Sequence, residues 1–305
     1  MRLRIQLLGK FRLQLEATGE LVTGFESSKV QELFAYLLLH RSRPHTREAL
    51  ASLLWSESAA DQGRKYLRQT LWHLQSALDP YADPDTPRLL YVQPEWVSLN
   101  PEAGIWLDTA EFEQLAVRVQ GVRGAELDAD GARAARCAVQ MYGADLLDGW
   151  YQDWCLGERE RYQNLYLGLL DKLMQSCEAS CLYEEGIQFG HRLLEFDRAR
   201  EHAHRGIMRM LYLAGDRTAA LRQYARCVSA LDEELGVRPD RRTDALHEQI
   251  RSDQLELARS TSESEVDTLS EIAGRLRQFQ MLLTDLQSGL QHDVQRVERA
   301  IHGRA

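Results

Sequence analysis

The sequence lacks most of the short motifs that mark enzymes and metal sites. Its five cysteines are an odd number, and none forms Cys-x-x-Cys, so reduced structural thiols are favoured over a metal site. It has no Gly-x-x-x-x-Gly-Lys, His-Glu-x-x-His or Gly-x-Ser-x-Gly segment. These absences exclude phosphate-loop ATPases, zinc proteases and serine hydrolases with those signatures. We therefore expect a protein that is not an enzyme and has no cofactor or metal.

Long apolar runs are missing as well. No stretch approaches the roughly 20 apolar residues that a membrane-spanning helix needs. The first residues, Met-Arg-Leu-Arg-Ile-Gln-Leu-Leu-Gly, are too short and too alternating for a signal peptide. We expect a cytoplasmic protein.

The chain also lacks the net positive charge that nucleic-acid-binding proteins usually carry. Its formal net charge is −9 over 305 residues, but the charge is unevenly spread. Residues 1–105 hold twelve Lys or Arg and twelve Asp or Glu, whereas the remainder holds 25 and 34. The acidic part need not contact DNA, although a neutral N-terminal part is weaker evidence for DNA binding than a basic one.

Residues 58–78 are the best candidate for a functional helix. Ser58 and Asp61 have the spacing of a capping box, and leucines recur at helical spacing along one face. The opposite face offers cations for phosphates, forked donors for guanine, amides for adenine and an aromatic ring for a thymine methyl. The candidate base-reading residues are Arg64, Lys65, Arg68, Gln69, Trp72 and His73. A solvated surface helix is the plainer alternative, but a solvated face gains nothing from an exposed indole such as that of Trp72.

The elements around this helix follow the order of a winged helix, with the third helix in the major groove and the hairpin as the wing. In chain order we predict strands at 2–8, 11–16 and 20–23, a helix opened by a Ser28–Gln31 capping box, a helix from Arg47 to Trp55 capped by Thr46, the helix of residues 58–78, and a hairpin of 88–93 with 96–100.

Four segments resemble the SARP-type bacterial transcriptional activators. They are Lys29-Val-Gln-Glu-Leu-Phe-Ala-Tyr-Leu-Leu-Leu, Arg47-Glu-Ala-Leu-Ala-Ser-Leu-Leu-Trp, Leu67-Arg-Gln-Thr-Leu-Trp-His-Leu-Gln-Ser-Ala-Leu, and Val97-Ser-Leu-Asn-Pro-Glu-Ala-Gly-Ile-Trp-Leu-Asp-Thr-Ala-Glu-Phe. The resemblance implies an OmpR-type winged-helix DNA-binding domain over residues 1–105 and a bacterial transcriptional activation domain over 106–255. It also implies binding to direct repeats in promoter DNA and recruitment of RNA polymerase through its sigma and alpha subunits. Because the winged helix starts at residue 1, we expect no receiver domain before it.

Helical periods dominate the second domain. Segments Leu182–Asp197, Arg200–Leu213 and Thr218–Leu235 have the lengths and short connections of tetratricopeptide hairpins. The aromatic residues of this region are expected in its core, with a ligand pocket as the alternative for the Trp150–Trp154 cluster. The fold class is therefore mostly α, with an N-terminal α+β winged helix, an all-α tetratricopeptide-like domain and a C-terminal amphipathic or coiled-coil helix.

The C-terminal helix is predicted over residues 264–302, after a polar linker at 260–267. Its apolar stripe alternates three and four residues apart and consists of Leu269, Ile272, Leu276, Phe279, Leu283, Leu286 and Leu290. Such spacing predicts a coiled coil and a homodimer, at least on DNA. The alternative is a helix that docks on its own chain.

A second set of residues is predicted to position the DNA backbone. These residues lie at helix starts or in the turn before the second helix, where N–H groups and cations can face phosphates. They are Lys29, Arg41, Arg43, Thr46, Arg47 and Ser58, with Arg88 and Gln93 in the wing. The sequence therefore predicts a DNA-binding transcriptional activator. The alternative function is a helical-repeat scaffold that binds a protein or peptide partner and has little affinity for DNA.

Overall fold

The computed structural model describes residues 3–81 and 88–254. The described residues up to Glu248 form one compact unit. The predicted linker, the predicted helix of residues 264–302 and its apolar stripe lie outside the described residues.

A small three-stranded sheet opens the chain. Strands β1 (Leu3–Gln6) and β2 (Arg12–Leu15) pair antiparallel through a turn at Gly9, whose φ of 102° suits a residue without a Cβ. The third strand, which we number β6 (Ile105–Leu107), runs parallel to β1 on its other side. The first strand of the chain thus pairs with a segment about a hundred residues away.

A three-helix bundle and a second sheet complete the winged helix. The elements are α1 (Ser28–Leu39), β3 (His45–Thr46), α2 (Arg47–Leu54), α3 (Ala60–Leu78), β4 (Leu90–Val92) and β5 (Trp96–Leu99). The second sheet has the order β3-β5-β4, all antiparallel, so the predicted hairpin of β4 and β5 is confirmed.

The predicted helix caps have mixed outcomes. Thr46 does cap α2, since its Oγ1 accepts a hydrogen bond from Ala49 N at 3.3 Å. The Ser58–Asp61 capping box is wrong, because α3 begins at Ala60 and no side chain caps it. Asp61 instead accepts a hydrogen bond from Arg64, one turn on. The helix starts one residue later than the capping box requires, and the guanidinium of Arg64 takes the carboxylate of Asp61.

The capping box predicted at Ser28 is also wrong. Ser27 occupies the capping position of α1 without a side-chain hydrogen bond, so the helix starts one residue earlier than expected. Gln31 Nε2 donates to the carbonyl of Phe25 instead of to the cap. This bond fastens the incoming loop to α1.

Seven helices follow, with the lengths expected of a tetratricopeptide-like domain, and the predicted fold class is confirmed for the described residues. They are α4 (Asp108–Arg118), α5 (Ala129–Met141), α6 (Asp153–Ala179), α7 (Tyr183–Phe196), α8 (Glu201–Leu213), α9 (Arg217–Leu235) and α10 (Arg241–Arg251). Close packing requires glycine on α7, because a Cβ at Gly190 would lie 2.6 Å from Ile207 Cγ1 on α8.

One buried carboxylate joins the two parts of the unit. Asp108 is the first residue of α4, and its oxygens accept hydrogen bonds from the backbone N–H groups of Leu7 and Leu8, just after β1, at 2.8–2.9 Å. A third bond comes from Thr109 N at 2.7 Å. Burial raises the pKa of Asp108 to about 6 although these donors favour the charged form. The N-terminal sheet and α4 are therefore held by one side chain.

The segment between α5 and α6 is held by Arg159. Its guanidinium donates to the carbonyls of Leu146, Leu147 and Trp150 at 2.7–2.9 Å. Leu147 has a φ of 50°, which a non-glycine residue rarely adopts without such support. Arg159 thus fixes the connection that precedes α6.

The Trp150–Trp154 cluster packs against the winged helix, as a core position requires. Trp150 stacks on Phe11 with ring centroids 6.2 Å apart, and Trp154 meets Tyr36 of α1 edge-on at 5.4 Å. Tyr151 is an exception to the expectation that the aromatic residues of this region lie in its core, because its side chain is 81% exposed. It falls between two inward-facing tryptophans and points away from both.

Candidate nucleic-acid interface

Helix α3 presents a sharply divided surface. Leu67, Leu71 and Leu74 are at most 1% exposed and fill the core between α1 and α2. The six predicted base-reading residues all lie on the exposed surface of the helix: Arg64, Lys65, Arg68, Gln69, Trp72 and His73. Since nothing in the described fold covers this face, a ligand as large as a duplex can reach it.

Two features give the exposed face of α3 a defined shape. Arg64 Nη2 lies 2.6 Å from Asp61 Oδ1, and this hydrogen bond raises the pKa of the guanidinium. Trp72 is 62% exposed and stands edge-on to His73 with ring centroids 4.9 Å apart. An aromatic ring pair therefore borders the charged residues, and the indole of Trp72 offers the apolar surface that contact with a thymine methyl requires.

The wing is fastened to the start of α2. Arg47 N donates to the carbonyl of Glu95 in the wing turn at 2.9 Å, and Thr46 pairs with Trp96 in the sheet. The side chain of Arg43 is exposed in the preceding turn. The predicted backbone contacts Arg43, Thr46 and Arg47 therefore lie beside the wing, next to one another.

Arg88 and Gln93 are also exposed and belong to the wing. Gln93 N donates to the carbonyl of Trp96 at 2.9 Å, which closes the turn and leaves the side chain outside. Ser58 lies in the turn before α3, where its N–H donates to the carbonyl of Trp55. It is near the start of the helix without being its cap.

Two of the predicted backbone contacts are occupied by other partners. Lys29 Nζ donates to Glu32 at 2.8 Å and to the carbonyl of Leu54 at 2.7 Å. Arg41 Nη2 donates to Glu113 of α4 at 2.6 Å. Lys29 lies in the first turn of α1 and Arg41 in the turn after it, and each is held by a carboxylate. The i,i+3 spacing of Lys29 and Glu32 is visible in the sequence, whereas the partner of Arg41 is 72 residues away.

Two aromatic residues of the wing were missed in the sequence. Tyr91 is 41% exposed and Trp96 is 37% exposed, and both lie on the outer face of the hairpin with Gln93. Their signal was the alternation of the strands, since Leu90, Val97 and Leu99 on the opposite face are buried. The exposed face of α3 and the outer face of the wing together form the candidate interface.

Other kinds of site have no support in the described ranges. Over residues 3–81 and 88–254, no group of three or more His, Cys, Asp or Glu is placed to hold a metal ion. None of the helices in these ranges has the length and apolar character needed to cross a membrane.

Comparison with known proteins agrees with this architecture. Residues 107–251 match the model of the bacterial transcriptional activator domain. The regulatory protein AfsR of Streptomyces coelicolor is 29% identical over 277 residues, which cover 88% of this chain. These residues cover only 26% of AfsR, so the chain spans about a quarter of that relative's length.

A solved structure shows the same fold. It is that of Mycobacterium tuberculosis EmbR in complex with a low affinity phosphopeptide, with a TM-score of 0.63 and 21% identity. The match covers 89% of this chain and 71% of the EmbR chain. The winged helix followed by a tetratricopeptide-like domain is thus shared between the two. Residues 107–251 therefore match the bacterial transcriptional activator domain, and the chain as a whole is similar to part of a much longer regulatory protein.

Proposed function

We propose that this transcription regulator binds duplex DNA sequence-specifically and acts as an activator. Helix α3 enters the major groove, where its exposed residues read bases, and the wing contacts the adjacent backbone. The observation that carries the proposal is the division of α3 into a buried leucine face and an exposed face of cations, amides and an aromatic pair.

Base reading is assigned to Arg64, Lys65, Arg68, Gln69, Trp72 and His73. Arg68 is the residue tested for a bidentate contact with guanine, because its guanidinium lies mid-helix and exposed. Backbone positioning is assigned to Arg43, Thr46, Arg47, Ser58, Arg88 and Gln93. Lys29 and Arg41 are each held by a carboxylate of this chain, and we assign them to the stability of the fold and not to a DNA contact.

The decisive experiment measures binding of the full chain to a cognate duplex, found by selection from random sequence, and to a scrambled duplex. Arg68→Ala should weaken cognate binding by about 1–3 kcal/mol and leave scrambled binding nearly unchanged. Arg118→Ala, an exposed arginine on α4, is the matched control for loss of charge. Equal losses on both duplexes would make Arg68 a phosphate contact. If duplex binding did not depend on salt at all, the proposed DNA-binding function would be wrong.

The protein is also proposed to bind direct repeats in promoter DNA as a homodimer and to recruit RNA polymerase through its sigma and alpha subunits. It is proposed to be cytoplasmic and to have no enzymatic activity. The proposed domain limits are 1–105, 106–255 and 264–302.

The proposed tail can be tested by truncation. Truncation after Ser260 should preserve affinity for a single half-site and weaken binding to tandem sites if the tail tethers two protomers. Unchanged tandem binding would exclude the tail as the dimer contact.

A second candidate is a helical-repeat scaffold that binds a peptide or protein. The neutral charge of residues 1–105 favours it, and the structure of EmbR was solved with a phosphopeptide. The salt dependence of duplex affinity separates the two functions, because only neutralisation of phosphates produces a steep slope.

A further inference from the structure

A cleft of about 430 Å³ opens in the tetratricopeptide-like domain, far from α3 in the chain. Helix α8 packs against both α7 and α9, and its His204 lies beneath the gap between them. We call this gap the α7–α9 cleft. Its volume is in the range of ligand pockets and exceeds what a single small ion fills.

A buried relay forms the floor of the α7–α9 cleft. His204 Nε2 lies 2.9 Å from the carbonyl of Arg198, and a carbonyl only accepts, so Nε2 carries the proton. The Nδ1 atom therefore accepts from Gln223 Nε2, also at 2.9 Å. Both side chains are at most 3% exposed. Burial lowers the pKa of His204, which agrees with the neutral form that this relay requires.

The relay determines where Arg226 lies. Because Gln223 donates through Nε2, its Oε1 turns outward and accepts from Arg226 Nη1 at 3.3 Å. Arg226 forms no ion pair with any residue in the described part of the chain. A guanidinium with several free donors is thus fixed at the edge of the cleft by two buried residues.

The other charges around the α7–α9 cleft define what it can accept. Arg198 is already neutralised by Glu233 at 3.3 Å and Glu234 at 3.8 Å. Glu195 also lines the cleft and adds negative charge. A polyanion such as DNA would be repelled by these three carboxylates, whereas one carboxylate can pair with Arg226 alone.

The walls add apolar surface beside this arginine. Leu194 from α7 and Ala230 from α9 line the cleft, and His191 stands across from Arg226. We propose that the α7–α9 cleft binds an acidic peptide segment of a partner protein, with one carboxylate on Arg226 and a neighbouring apolar side chain against Leu194 and Ala230.

The test uses NMR of the full chain titrated with a pool of capped hexapeptides that carry Glu or Asp at one fixed position beside an apolar residue. A matched pool carries Gln or Asn there, and inorganic phosphate is a third arm. The acidic pool should shift the Arg226 Nε and His191 ring signals to saturation. It should also raise the pKa of His191, which burial and Arg226 now lower.

Arg226→Ala should weaken binding of the acidic peptides about tenfold or more, because a charge-assisted pair is lost. Arg222→Ala, one turn earlier on α9 and outside the cleft lining, should change this affinity less than about twofold. Equal binding of the amide pool, equal losses in the two variants, or an absence of shifts would overturn the proposal. So would phosphate binding as tightly as the peptides. DNA affinity should be unchanged in Arg226→Ala, so this proposal and the proposed function can fail separately.

Discussion

Arg41, in the turn after α1, and Glu113 on α4 form an ion pair of 2.6 Å that joins the winged helix to the tetratricopeptide-like domain. Glu113 also accepts from Arg161 at 2.8 Å and from the Tyr162 hydroxyl at 2.9 Å. Burial raises the pKa of Glu113, but the hydrogen bonds from Arg41, Arg161 and Tyr162 outweigh it, and the net pKa lies below its usual 4.5.

The first prediction is that Arg41→Ala lowers the free energy of unfolding by about 1 kcal/mol at pH 7, since both partners are part-exposed. A lowered pKa in the folded state stabilises the fold above about pH 4.5, and this stabilisation disappears as the pH falls through the lower, folded-state value. The difference from the unchanged protein should therefore shrink in acid. Urea unfolding at pH 7 and pH 3.5 checks this, and a difference that grows in acid would contradict it. Arg118→Ala serves as the control.

The second prediction concerns the carboxylate between the N-terminal sheet and α4. Asp108→Asn should lower the free energy of unfolding by about 1–3 kcal/mol, because the Nδ2 of asparagine cannot accept from a backbone N–H. Asp148→Asn, at an exposed position nearby in the domain, should change it by less than about 0.5 kcal/mol. Thermal or chemical unfolding of both variants makes the comparison. Equal stability of the two would show that Asp108 does not hold the sheet.

The third prediction uses two glycines that contact or lie on α6. A Cβ at Gly124 would lie 2.5 Å from the carbonyl oxygen of Lys172, which is backbone and cannot turn away. Gly124→Ala should therefore destabilise the fold by about 1–3 kcal/mol. Gly168→Ala, where no atom lies within 4 Å, should stabilise α6 by about 0.5–1 kcal/mol. The same sign for both variants would contradict the close packing of Gly124 on α6.

The fourth prediction separates the two faces of α3. Leu71→Ala should lower the free energy of unfolding by about 2–5 kcal/mol, because Leu71 is 1% exposed. Trp72→Ala should leave stability within about 0.5 kcal/mol and weaken duplex binding. Stability comes from chemical unfolding and affinity from fluorescence anisotropy on the selected duplex. If the Trp72→Ala protein bound the duplex with full affinity, Trp72 would not be part of the interface.

The fifth prediction divides the candidate backbone contacts. Arg43→Ala and Arg47→Ala should each flatten the plot of log affinity against log salt by about one unit. Lys29→Met should leave the slope unchanged and destabilise the fold, since Glu32, only 2% exposed, would lose its cation. Duplex binding at four salt concentrations distinguishes the two groups. A flatter slope for Lys29→Met would return that residue to the DNA contacts.

The sequence predicted the helices well because their apolar residues recur with strong periods. Segments α7, α8 and α9 begin and end within one residue of the predicted limits. The face of α3 that is exposed was also predictable, since a period of 3.6 assigns each residue a side.

Long-range partners could not be predicted in the same way. The three-residue strand β6 is too short to show alternation, and nothing near it in the chain indicates β1 as its neighbour. Glu113 lies 72 residues from Arg41, so the ion pair that draws this arginine inward has no local signal. The α7–α9 cleft depends likewise on a relay of residues from two helices and a loop.

The parallel pairing of β1 with β6 has a consequence for the order in which the chain folds. During synthesis β1 emerges first, but its parallel partner appears only after about a hundred further residues have left the ribosome. Until then one edge of β1 is open to wrong pairing. The N-terminal sheet is therefore completed only after β6 and the first residue of α4 have been made, which couples folding of the winged helix to the start of the helical domain.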